Sequence, residues 1–149
     1  MYEKVKSFKS DIANSDPAIL KEYKYLKIEL KDIQQRITGT EKSIHNLSNI
    51  HNYENNSELG ILKERKNLYH QEVEYLEKLT NSVLLYIETL PTSELRTLFR
   101  LYYLDNLTWI QVSFRMNSYF PGKIYTEDSC RMKHNRFFKK QNARSVVFG

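Results

Sequence analysis

The chain has one cysteine, four glycines, three prolines and one tryptophan in 149 residues. A lone Cys130 excludes an internal disulfide and fits a reducing compartment. So few glycines and prolines are too little turn chemistry for a many-stranded fold, and they fit an all-α chain. Mean hydropathy is −0.63, and no apolar run approaches the ~20 residues that a membrane span needs. Residues 1–15 place Glu3, Lys4, Lys6, Lys9 and Asp11 among the apolar positions, so no signal peptide is expected and the predicted location is cytoplasmic.

Catalytic chemistry is missing in the same way. His45, His51, His70 and His134 do not fall at metal-ligand spacing with one another. Cys130 and His134 lie four apart on an apolar stripe, where they read as core. There is no glycine-rich phosphate loop, and Gly122 after Pro121 reads as a turn. Glu72, Glu74 and Glu77 sit on a helical stretch and read as a solvated face. The eleven tyrosines follow helical stripes and do not form the aromatic platform of a single-strand binder. Trp109, just after a cap, reads as a plug between helices. No enzyme activity, cofactor or metal site is expected.

The distribution of charge is what the sequence does supply. Residues 91–149 hold 10 Lys+Arg against 4 Asp+Glu, a net of +6, while residues 1–90 hold 13 against 14, a net of −1; together these give the +5 of the chain. Arg131, Lys133, Arg136, Lys139, Lys140 and Arg144 follow one another with no acid between them. Localised positive charge of this kind attracts a phosphate backbone without regard to base sequence.

Helix signals organise that basic region. Pro91 ends one helix and suits the opening of the next. Leu95, Leu98, Phe99 and Tyr102 then mark one apolar face, and Asp105-Asn106 breaks it. Thr108 to Gln111 has the spacing of a capping box, followed by a short helix with Val112 and Met116 inward and Ser113 small enough for close approach. Residues 117–125 contain Pro121-Gly122 and cannot be helical throughout. Thr126 is a second cap, with Glu127 and Asp128 where the helix dipole favours acids. The last helix is expected over about Glu127 to Lys140, with Cys130, His134 and Phe137 or Phe138 as its inner stripe. Asp128, Ser129, Met132, Lys133 and Arg136 fall on the opposite face, with Arg131 and Asn135 at its edges.

A helix-turn-helix places its second helix in the major groove, where Arg, Lys, Asn and Ser can read base edges. The expected base contacts are Ser129, Lys133 and Arg136, with Asp128 and Met132 as further candidates. Thr108, Thr126, Arg131, Lys139 and Lys140 are expected at phosphates.

Residues 90–140 resemble the fourth region of sigma factors. The likeness lies in Leu95-Arg96-Thr97-Leu98-Phe99, Tyr102-Tyr103-Leu104, Leu107-Thr108-Trp109, Val112, Met116 and the run from Ser129 to Phe138. More closely, they are similar to the sigma-like regulators of phages and prophages of Gram-positive bacteria, the ArpU and RinA group. Phe114-Arg115 and the 118–125 stretch depart from that pattern. The resemblance implies a DNA-binding regulator of phage late or packaging genes in a bacterial host cell, with a helical region ahead of the DNA-binding domain.

Residues 1–90 suit partners more than chemistry. Asp16-Pro17 reads as a helix start, and Ile19, Tyr23, Leu26, Leu30, Ile33 and Ile37 alternate spacings of four and three, continued by Thr40, Ile44 and Leu47 past Gly39. A polar break over 51–58 ends with Ser57 as the expected cap. Leu62, Tyr69, Val73, Leu76, Val83 and Ile87 mark a second helix. An antiparallel helical hairpin follows, with residues 91–149 as a separate helix-turn-helix domain. Its narrow stripes predict self-association, most simply a homodimer, through Ile19 to Ile37 and Leu62 to Leu76; the alternative is an intramolecular spacer. The expected partners are double-stranded DNA, a second copy and host RNA polymerase. Two other functions stay open, a small-terminase-type DNA-packaging subunit, which would form a ring, and an interaction module that inhibits a host enzyme.

Overall fold

The computed structural model describes residues 19–50 and 56–148, with side-chain detail over 19–50 and 57–140. Among them every regular element is helical: α1 (Ile19–Asn49), α2 (Asn56–Glu88), α3 (Ser93–Phe99), a π-helical turn (Arg100–Leu104), α4 (Trp109–Tyr119) and α5 (Glu127–Phe148). The Asp16-Pro17 cap, the segment 51–55 and the Arg144 side chain lie outside the described residues. Contacts divide the described residues into two units, Tyr25–Asn81 and a second that joins residues 19–24 with residues 82–148. The second unit therefore takes in the first turn of α1 and the last turns of α2, well before Pro91.

In the unit Tyr25–Asn81 the heptad positions meet each other. Leu30, Ile33, Ile37 and Leu76 are buried together, with Leu26, Tyr69, Val73 and Leu79 packed against them. Glu41, late in α1, pairs at 3.3 Å with Lys66, early in α2. Thr40 occupies a stripe position because its hydroxyl donates to the Arg36 carbonyl at 2.8 Å, so the polar group is satisfied where it is buried. Most of the residues expected to form a seam with a second copy are thus used inside one chain. Ile19 and Tyr23 pack in the other unit, and Leu62 is half-buried. Gly39 does not interrupt α1, since backbone hydrogen bonding continues through it at a cost of about 1 kcal/mol relative to alanine. Ser57 lies inside the first turn of α2 instead of capping it, a shift of one or two residues of the kind helix ends show.

The second unit is built around Val83, Ile87, Leu98, Phe99, Val112, Met116 and Cys130, all essentially inaccessible. Thr92 caps α3 by accepting from the Leu95 amide at 3.1 Å, and Arg96 donates to the Leu90 carbonyl at 2.7 Å, tying the helix to the chain that enters it. The helix expected to run on as one α-face instead widens after Phe99. Asp105 N–H bonds the Arg100 carbonyl five residues back. That wider turn lets Leu101 and Tyr103 face inward as well as Leu98 and Phe99. Asn106 then reverses the chain with φ 55°, a left-handed conformation that asparagine tolerates better than most residues.

Candidate nucleic-acid interface

Both expected caps are present. Thr108 Oγ1 accepts from Gln111 N–H at 3.3 Å while Gln111 Oε1 accepts from Thr108 N–H at 3.0 Å, so two donors at the start of α4 are satisfied reciprocally. Thr126 does the same for α5 with serine as its partner. Its hydroxyl accepts from Ser129 N–H at 3.1 Å, and Ser129 Oγ accepts from Thr126 N–H at 2.8 Å. The α4 helix runs three residues past Met116, to Tyr119, and α5 continues beyond Lys140 to Phe148.

The connection between these helices is pinned rather than free to turn. Asn117, at the end of α4, receives the Tyr125 N–H on Oδ1 at 2.7 Å and donates its amide to the Tyr125 carbonyl at 2.9 Å. One side chain thereby closes a loop of eight residues at its base and satisfies both backbone groups of a buried residue. Glu94 of α3 makes a second tie. It accepts from Lys123 Nζ at 2.6 Å, from Tyr125 Oη at 2.9 Å and from Lys133 Nζ, and the Lys133 ammonium also lies 5.4 Å from the Tyr125 ring centroid. Burial pushes the Glu94 carboxyl up, but hydrogen bonds from Lys123, Lys133 and Tyr125 outweigh it and hold the group down at about 2. Tyr125 is pushed up to about 12, by burial and by the carboxylate it donates to.

The inner stripe of α5 is the expected one. Cys130 and His134 are buried and Phe137 and Phe138 half-buried. His134 sits among Phe99, Tyr102, Tyr103, Trp109 and Phe138, with Nε2 2.5 Å from Tyr103 Oη and Nδ1 3.0 Å from Asn135 Oδ1. A neutral ring that donates from Nδ1 and accepts at Nε2 satisfies both contacts. Trp109 lies stacked on Tyr102, with centroids 3.9 Å apart and planes 9° from parallel. With both imidazole nitrogens engaged, His134 has none left for a metal beside Cys130. No group of three or more potential ligands occurs among the described residues.

The residues expected to read DNA divide into two sets. Met132, Arg136, Lys139 and Lys140 are exposed, and the three cations have no ion-pair partner among the described residues. The others are engaged locally. Arg131 pairs with Glu127 at 2.7 Å and Asp128 at 3.2 Å, both on its own helix. The Ser129 hydroxyl also donates to the Thr126 carbonyl at 3.1 Å, which uses its one proton. Thr108 and Thr126 only accept within their caps, so each keeps a proton that a phosphate could take.

Lys133 is not on the outward face but at its edge. At roughly 100° per residue the buried stripe centres between Cys130 and His134, about 80° from Lys133, which directs the side chain to α3. Asn135, assigned to an edge, is exposed. Glu94, Asn117 and Arg115 of α4, the last exposed and without an ion-pair partner among the described residues, have no expected site role from sequence. Asn117 before a Pro-Gly turn was the readable signal, whereas nothing local marks Glu94.

No described helix is long and apolar enough to cross a membrane. No protein-family model matches the chain, and neither does any curated protein or solved structure.

Proposed function

We propose that the chain is a duplex-DNA-binding transcriptional regulator, in which α4 and α5 act as a helix-turn-helix and α5 is the helix that enters the major groove. The observation that carries this reading is the outward face of α5. After Asp128 that face presents Met132, Asn135, Arg136 and Lys139, flanked by Lys140, with no acid among them. A capped helix with free guanidinium and ammonium groups on one side and a packed aromatic stripe on the other is suited to lie against phosphates while showing Arg and Asn to base edges. The likeness of residues 90–140 to sigma region 4 directs the reading to transcription, in the manner of a phage or prophage late-gene regulator. We read Tyr25–Asn81 as an antiparallel helical hairpin serving as an intramolecular spacer, because its heptad residues pack on each other.

Arg136 and Lys140 give the test. On a site selected from random duplex, Arg136→Ala should weaken binding by about 1–3 kcal/mol, and by much less on random sequence; Lys140→Ala should weaken both alike. Equal losses for the two variants on both DNAs would place a different face in the groove.

A further inference from the structure

Two lysines beside the outward face of α5 are already neutralised from within. Glu94 comes from α3, Lys123 and Tyr125 from the connection and Lys133 from α5, and all three partners converge on the one carboxylate. Its side chain is only 16 % exposed, while the Lys123 side chain is 62 % exposed and so placed where solvent or a ligand could take it. Lys123 and Tyr125 donate to one carboxylate oxygen and Lys133 donates to the other. The Lys123 pair adds little stability, since an ion pair with an exposed partner contributes on the order of 1 kcal/mol or less. What the arrangement does change is the charge available to a polyanion, because the acid occupies two ammonium groups as a phosphate would.

Resting on the DNA-binding reading, we propose that Glu94 withholds Lys123 and Lys133 from the DNA backbone, lowering sequence-independent attraction so that binding depends on the outward face of α5. Glu94 is then a specificity-setting residue that touches no DNA. The full chain would be titrated onto random duplex over a salt series, unaltered and as Glu94→Gln and Lys133→Met. Glutamine keeps the shape and an acceptor but not the charge that holds two ammonium groups. Each phosphate contact adds about −0.9 to the slope of log affinity against log salt. Glu94→Gln should steepen that slope by about 1–2 and tighten random-duplex binding at 0.1 M salt roughly ten- to fiftyfold. Lys133→Met, which leaves Glu94 with Lys123 and Tyr125, should keep the unaltered slope. An unchanged slope in Glu94→Gln would mean its role is structural alone, and a slope shallower by about 1 in Lys133→Met would mean that lysine is already on phosphate; either overturns the proposal. If Glu94→Gln does not fold, Lys133→Met decides by the same criterion. Slopes near zero in every chain, the unaltered one included, would overturn the DNA reading itself.

Discussion

Asn117 sets how α4 and α5 are joined, and its removal has a calculable cost. The side chain makes two hydrogen bonds to the backbone of Tyr125, at 2.7 and 2.9 Å, and Tyr125 is only 4 % exposed. Asn117→Ala leaves a buried N–H and a buried carbonyl without partners, each worth about 1–3 kcal/mol when orphaned. Partial relaxation of the loop brings the expected total to about 2–4 kcal/mol, a large fraction of the stability of a small domain. Urea unfolding followed by the single Trp109 reports this unit directly, and with a slope of about 1–2 kcal/mol per molar the midpoint should fall by about 1–4 M. Asn117→Asp separates the two bonds. It keeps an acceptor for the Tyr125 N–H but turns an oxygen toward the carbonyl, so at neutral pH it should be destabilised nearly as much. A loss below about 0.5 kcal/mol for alanine, or an aspartate variant as stable as the natural chain, would refute the reasoning.

Burial among aromatic rings holds His134 below the usual imidazole range; nearby Lys21 adds to this and the Asn135 hydrogen bond opposes it. The unfolded chain therefore takes up the proton first. Stability from this site should be complete above the ordinary value of 6.5 and fall as pH drops below it, by up to about 1.4 kcal/mol per pH unit, and His134→Gln should flatten that limb in Trp109-monitored melts. Glu94, lowered from 4.5 to about 2, adds a separate acid limb: its contribution is present above pH 4.5 and is lost as pH falls toward 2, so Glu94→Gln should remove that limb alone. Leu26→Asp with Ile33→Asp should melt the unit Tyr25–Asn81, read as lost helical circular dichroism, whereas a folded chain of smaller hydrodynamic size would restore the intermolecular seam. Gly39→Ala, where an added Cβ meets nothing within 4 Å, should stabilise by about 0.5–1 kcal/mol in thermal melts.

What the sequence made legible followed from local chemistry. The heptad positions, the Thr108 and Thr126 caps and the Cys130–His134 stripe each depend on spacing within one helix, and period and capping pattern specify them there. The missing parts depend on meetings across the chain. Glu94 contacts residues 29 to 39 positions away, and no neighbouring residue signals that encounter. The π-helical turn after Phe99 is likewise set by tertiary packing, as two extra residues are drawn inward in a segment whose pattern reads as an ordinary helix. Lys133 combines a local cause with a distant one. Its helical phase puts it at an edge, and the acid on α3 then determines what its ammonium meets.

The most direct measurement of the central claim is the salt dependence of duplex binding by the unaltered full chain. With Lys123, Lys133 and Arg131 paired internally, the exposed cations left among the described side chains of α4 and α5 are Arg115, Arg136, Lys139 and Lys140. Three to four phosphate contacts predict a slope of log affinity against log salt of about −3 to −4 per protomer. No binding at low salt, or a slope near zero, would contradict the account.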